Sequence, residues 1–189
     1  AYDGSSFHGF QLQEGHRTVN GVLQQSIEKL TRRPTRLIAA GRTDAGVHAE
    51  DQAINFLTTT EISPEGFSYH LQKELPGDIL CLSSQKVPLG FHARFACESK
   101  TYRYVISLRR PMMPTERLYK AACSYDLDLA VMEKGLRLFE GEHDFRYFCK
   151  YNPLRQPVRT IDSFTMERVG DDLVFRIKAE SFLHNQILL

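Results

Sequence analysis

Apolar residues along this chain follow two periods. Between positions 18 and 33, Val19, Val22, Leu23, Ile27 and Leu30 fall three or four apart. That is the spacing of one helix face, with Thr18 placed to cap it and Pro34 to stop it. Leu37-Ile38-Ala39-Ala40 is a continuous apolar run that predicts a short buried strand, and Gln52 to Leu57, with Ile54 and Phe56 on one side, predicts another. Ser63-Pro64-Glu65 is a helix start with a capping serine and a first-turn proline; Phe67, Leu71 and Leu75 form its stripe and Pro76-Gly77 end it. Ile79 to Leu82 predicts a further strand, and Ala1-Tyr2-Asp3-Gly4 reads as the end of a strand whose beginning is absent.

The second half opens with the alternating run Lys100 to Leu108, in which Tyr102, Tyr104, Ile106 and Leu108 share a face. Tyrosines so placed are more often core than chemistry. Asp128 then starts a helix with Leu129, Met132, Leu136 and Phe139 at core spacing, closed by Gly141, which makes His143 and Asp144 helix-end packing residues rather than an acid/base or metal pair. Val158 to Arg168 and Leu173 to Ser181 predict a hairpin about Gly170-Asp171-Asp172, and another helix begins at Phe182-Leu183-His184. The first half thus reads strand, helix, strand, strand, helix, strand, and the second repeats strand, helix, two strands. The prediction is an α+β fold of two ferredoxin-like (RRM-like) halves with mainly antiparallel sheets, joined around a central catalytic cleft. One half covers residues 1–95, and the other, incomplete at its end, covers 96–189.

Composition narrows the class. A chain of 189 residues with 42% hydrophobic content can build a sizeable core. No apolar run approaches the roughly 18–20 residues that span a bilayer, and the start shows no signal peptide, so no membrane is expected. The four cysteines, Cys81, Cys97, Cys123 and Cys149, are widely spread with no CxxC pair, which suits reduced thiols in a cytoplasmic protein and neither a zinc site nor a disulfide framework. No metal is expected. Net charge is only +1, yet cations gather in Lys29/Arg32/Arg33/Arg36, in Arg94/Lys100/Arg103/Arg109/Arg110 and in Arg146/Lys150/Arg155/Arg159. Each cluster is open to reading as a solvated face; together, with aromatics between them, they fit an RNA surface better.

The chemistry concentrates in Gly41-Arg42-Thr43-Asp44-Ala45-Gly46-Val47-His48-Ala49, directly after the first predicted strand. Two glycines bracket a carboxylate, which lets the backbone turn sharply and a ligand approach closely. In an extended segment Arg42 and Asp44 project to one side, where a guanidinium favours the ionised acid, whose ordinary pKa is ~3.9. A surface turn with a weak ion pair has the same spacing. His48 has two readings as well: orienting the loop or touching phosphate, or plain packing. A metal-dependent hydrolase using Asp44, His48 and Glu50 is a remote alternative, lacking ligand-pair spacing and a supporting shell.

The nine-residue motif closely resembles the active-site motif of the tRNA pseudouridine synthase A family. Further patches are similar in the same order: Tyr2-Asp3-Gly4 through Gly9-Phe10-Gln11, Phe91-His92-Ala93-Arg94, Lys100-Thr101-Tyr102-Arg103-Tyr104, Gly141-Glu142-His143-Asp144-Phe145, Val158-Arg159-Thr160-Ile161 and Ser181-Phe182-Leu183. The resemblance implies isomerisation of uridine to pseudouridine in the anticodon stem-loop of tRNA, without a cofactor, by a homodimer. It implies that Asp44 is the catalytic nucleophile, that Arg42 helps hold the uridine out of its stack, and that Tyr102 stacks on the extruded base. The loop after Tyr2-Asp3-Gly4 would face the RNA. The match breaks at Leu188, where the family has a basic partner for the aspartate. A catalytically impaired tRNA-binding module of the same fold is the competing reading.

Overall fold

In the computed structural model, which describes residues 1–150, 152–154 and 156–187, each helix starts where its capping side chain stands. Thr18 Oγ1 accepts the Gly21 N–H at 3.2 Å and opens helix α1, Val19–Thr31, which ends on Arg32 in the left-handed region just before Pro34. Ser63 Oγ accepts the Gly66 N–H at 3.1 Å and opens α2, Pro64–Gln72. Asp128 Oδ1 accepts the Ala130 and Val131 N–H groups and opens α3, Leu129–Arg137. These bonds satisfy donors that have no partner inside the helix. Among the described residues the fold is mixed α/β, with three α-helices and two sheets, and no helix is long and apolar enough to cross a membrane.

The chain divides into two units, Ala1–Cys97 and Glu98–Leu189. In the first, α1 and α2 bury Val19, Leu23, Ile27, Phe67 and Leu71 with Tyr2, Phe7, Phe10, Leu37 and Ile79. Regular ladder is scarce: β1, Ile38–Ala39, pairs antiparallel with β2, Ile54–Asn55. Residues 1–3 form a central rib instead. Tyr2 exchanges bonds with Ala49 on one side (2.8 and 3.1 Å), while Asp3 N–H reaches Asp78 O and Leu80 N–H reaches Ala1 O on the other. The strand expected at Ile79 to Leu82 shrinks to a single bridge between Ile79 and Tyr2, and on the edge turned away from the rib Gln72 of α2 takes the Cys81 N–H on its Oε1 (2.8 Å) and gives its Nε2 to Ile79 O (3.2 Å).

The second unit is a five-stranded sheet in the order β4-β3-β7-β6-β5. Its strands are β3, Lys100–Ser107; β4, Ala121–Ala122; β5, Gly141–Asp144; β6, Val158–Val169; and β7, Asp172–Ala179. All neighbours are antiparallel except β3 and β4. Gly170, at φ 61°, takes the first central position of the two-residue β6–β7 turn, a position that favours glycine. Two expectations fail here. Gly141 does not close α3, which ends at Arg137; at φ 91° it starts β5, so His143 and Asp144 sit on an edge strand and not at a helix end. All four β5 residues are polar or glycine and exposed, which left no alternation to read. The helix expected from Phe182 does not form among the described residues; Leu183 N–H bonds the Gln186 side chain at 2.7 Å, and Asn185 turns at φ 61°.

The core of this unit gathers Phe145, Ile161 and Ala179 with Phe139, Phe164, Ile177, Phe182 and Leu183. No residue of α3 is fully buried.

Ile27, with no exposed surface, lies at the centre of the first core. Ile27→Ala is expected to lower unfolding free energy by about 2–5 kcal/mol, read from denaturant midpoints.

Candidate active site

The Gly41–Ala49 segment leaves β1 and returns to the central rib, and between those ends it rests on residues 2–10. Phe10 N–H donates to Thr43 O at 3.0 Å, Gly46 N–H to Phe7 O at 3.2 Å, and Val47 N–H closes a turn on Asp44 O at 3.2 Å. The Tyr2 hydroxyl lies 2.8 Å from Thr43 Oγ1. Asp44 is therefore flanked on both sides by anchored backbone. Its side chain is half-buried and that of Arg42 is exposed.

Two glycines in the bed make this seating possible. A Cβ at Gly4 would stand 2.1 Å from Val47 O, and one at Gly9 would stand 2.8 Å from Thr43 O and 3.3 Å from the Asp44 carbonyl carbon. Gly9 also has φ +84°, and Gly46, inside the loop, has φ +79°, a region L side chains rarely adopt. The signal for Gly4 and Gly9 was present in the Tyr2 to Gln11 patch, but nothing in that patch says which backbone they approach.

His48 is an anchor of the loop. Its Nδ1 accepts the Gly4 N–H at 3.1 Å and lies 3.2 Å from Asp3 Oδ1. A ring nitrogen cannot accept the first and donate to the second at once, so the Gly4 bond belongs to the neutral ring with its proton on Nε2. Arg17 fastens the bed from beneath. Its guanidinium bonds both Asp78 carboxylate oxygens (2.8 and 3.0 Å), lies 4.0 Å from the centre of the Phe7 ring, and has its pKa raised by the Asp78 hydrogen bond. Arg17 was in no predicted cluster.

Tyr102 belongs to the second unit, on β3. It is half-buried, with its ring edge-on to Phe182 at 5.1 Å and 89°. Tyr104 is 44% exposed and so is no core residue. His143 Nε2 lies 2.8 Å from Glu140 O, and Asp144 is held by Arg146, whose hydrogen bonds lower the Asp144 pKa. Among the described residues no three His, Cys, Asp or Glu side chains are grouped to hold a metal ion. The four cysteines form no disulfide, and burial pushes the Cys81 thiol up.

Several expected RNA-facing cations have structural bonds. Lys29 pairs with Glu74 at 2.5 Å, Arg110 bonds Asp126 and the Tyr125 carbonyl, and Arg159 bonds the Gln156 and Val158 carbonyls. Arg155, and the Leu188 position where the motif breaks, lie outside the described residues.

Compared with known proteins, the chain matches the model of a family described as tRNA pseudouridine synthase over residues 1–96 and 136–188. It is 39% identical over 189 residues to the tRNA pseudouridine synthase A of Finegoldia magna, covering 98% of this chain and 77% of that protein. The Geobacillus sp. protein of the same name is 39% identical, covering 99% and 76%. That of Listeria innocua is 38% identical, covering 99% and 77%. Tyr102 falls between the two stretches matched by the family model and within the length shared with the relatives.

Gly4→Ala is expected to destabilise the protein by more than about 1 kcal/mol, since the Cβ meets backbone, whereas Gly77→Ala, where a Cβ meets nothing within 4 Å, is neutral or mildly stabilising. Thermal unfolding of the two variants measures the contrast. The Asp144–Arg146 pair adds stability above the ordinary carboxyl pKa of ~3.9 and loses it as pH falls through the lowered folded value, so Arg146→Gln should flatten the acid limb of a stability–pH curve.

Proposed function

The chain belongs to the tRNA pseudouridine synthase family, and from that premise we propose that Asp44 is the catalytic nucleophile of its reaction. The protein isomerises uridine to pseudouridine in tRNA. The bond from the ribose carbon C1′ to N1 of uracil breaks and one from C1′ to C5 forms. N1 gains a proton, C5 loses one, and no electrons are exchanged with any other molecule. A carboxylate in a fixed place suffices for attack on the ribose, attack on the base or removal of a sugar proton, and in each case it acts from the same position.

The observation that carries the assignment is the seating of the Gly41–Ala49 loop, whose backbone is anchored at Thr43, Gly46 and Val47 around a half-buried Asp44. Holding a reacting group still on a rigid scaffold is the main way a protein accelerates such a step. In this reading Arg42, exposed beside Asp44, helps keep the uridine extruded, and Tyr102 stacks on the base. Extrusion costs a few kcal/mol, least in a loop or at a stem end, which favours an anticodon stem-loop uridine. The units are read as ferredoxin-like halves, the enzyme as a cytoplasmic homodimer acting without cofactor or metal. Widely spaced cysteines outside any disulfide and a mainly antiparallel second sheet support that picture.

Conversion of uridine in an unmodified tRNA transcript, followed by tritium release from C5-labelled uridine and mapped by position, tests the assignment. Asp44→Asn, almost the same shape without the charge, is expected to keep tRNA binding and to lose activity by about a hundred-fold to ten-thousand-fold or more. A near-normal rate in that variant would overturn the role given to Asp44. Binding without product in the unaltered chain would instead favour a tRNA-binding module.

A further inference from the structure

In the first unit, Phe91-His92-Ala93-Arg94-Phe95 forms a turn that one side chain fixes at two points. Asn55, on β2, accepts the Ala93 N–H on its Oδ1 at 2.8 Å and donates its Nδ2 to Phe91 O at 3.3 Å. Within the turn, Phe91 N–H donates to Pro88 O, and the Phe95 and Ala96 N–H groups both donate to His92 O, each at 2.9 Å. Ala93 is buried. The backbone that carries residues 94 and 95 is therefore held as firmly as the loop that carries Asp44.

What this turn displays is an aromatic ring. Phe95 is 80% exposed, and its ring is stacked on that of His92, with centroids 4.2 Å apart and planes inclined by 27°. One face of Phe95 is thus covered by imidazole, and the exposure belongs to its other face and edge. His92 Nδ1 is buried and has no hydrogen-bond partner among the described residues. A buried ring nitrogen left so is costly, which means that ring contact and not a hydrogen bond keeps His92 beneath Phe95. Arg94 is exposed, and it is the one Lys, Arg, Asp or Glu among residues 91–97.

We propose that Phe95 is a stacking platform for an unpaired base of the tRNA, with Arg94 placed for the phosphate of that nucleotide. This inference rests on the reading of the chain as a tRNA-modifying enzyme and not on the role given to Asp44. Unpaired bases are gripped on aromatic faces, and because every base has a π-face the platform holds its nucleotide without reading its identity. Base faces are hidden inside a duplex, so the nucleotide comes from a loop, a bulge or an end. A ring already stacked on His92 and carried by a fixed turn loses little freedom when a base is added to it. The single charge at the turn is positive, which complements the phosphate that accompanies every base.

The chain contains no tryptophan, so Phe95→Trp installs a single indole at the platform, and a base stacked on an indole quenches its fluorescence. Titrating the full chain carrying Phe95→Trp with an unmodified tRNA transcript is expected to give saturable quenching, and long double-stranded RNA is expected to give none. Phe95→Leu, which keeps apolar bulk without a ring, should weaken binding of the transcript by about five-fold to a hundred-fold, whereas Phe95→Tyr should bind as the unaltered chain does. Arg94→Gln should lower the slope of log affinity against log salt by about one. Absence of quenching by the transcript, equal quenching by double-stranded RNA, or full affinity in Phe95→Leu would overturn the proposal. So would an emission change that follows protein concentration without RNA, which would assign the ring to a second copy of the chain. Thermal unfolding checks each variant, and the fluorescence result stands if Phe95→Leu is unstable. Pseudouridine formation by the unaltered chain in the same transcript is scored separately. Product without quenching defeats the platform alone, and quenching without product defeats the reaction and leaves the platform standing.

Discussion

The first unit depends on a backbone contact that no side chain could tolerate. At Gly4 the chain passes so close to the Val47 carbonyl that a Cβ would stand 2.1 Å from the oxygen. That approach brings residues 2–10 beneath the loop that carries Asp44. From it follow the Tyr2–Ala49 bridge, the Gly4 to His48 bond and the contact between Tyr2 and Thr43. Arg17 then fixes the bed by holding Asp78 and covering Phe7, whose carbonyl receives the Gly46 N–H. The loop is ordered by backbone bonds on both sides of its acid, so the acid inherits the rigidity of the core beneath it.

Such rigidity suits an isomerisation in which one nucleotide is both reactant and product. With no net redox change and no second substrate, the reaction is a matter of placement and electrostatics. The structure spends few groups on it. Many of its charged residues serve the fold, as in Lys29 with Glu74 and in Lys120, which sits between Glu116 and Asp172, whose hydrogen bonds raise its pKa. A count of cations along the chain therefore overstates those available to RNA.

The second unit separates its chemistry by face. Alternation along β3 sends Tyr102 and Tyr104 to the side of Phe164 and Phe175, and Arg103 to the side of Arg176 and Lys178. A single strand thus offers rings to one side and hydrogen-bond donors to the other.

Much of this was legible in the sequence. The three helix starts could be read because capping is local: Thr18, Ser63 and Asp128 need only the two or three residues that follow. The long strands β3, β6 and β7 alternate and were legible for the same reason, and the family was legible because GRTDAGVHA is long and specific. What depended on distant partners was not. The strand expected at Ile79 to Leu82 is reduced to one bridge with Tyr2, its other edge held by the Gln72 side chain from α2. The strand β5 was hidden because an exposed polar edge has no pattern, and its pairing with β6 was decided by register. The meaning of Gly4, Gly9 and Arg17 lay in contacts made across gaps of 43, 34 and 61 residues, which only the folded chain closes.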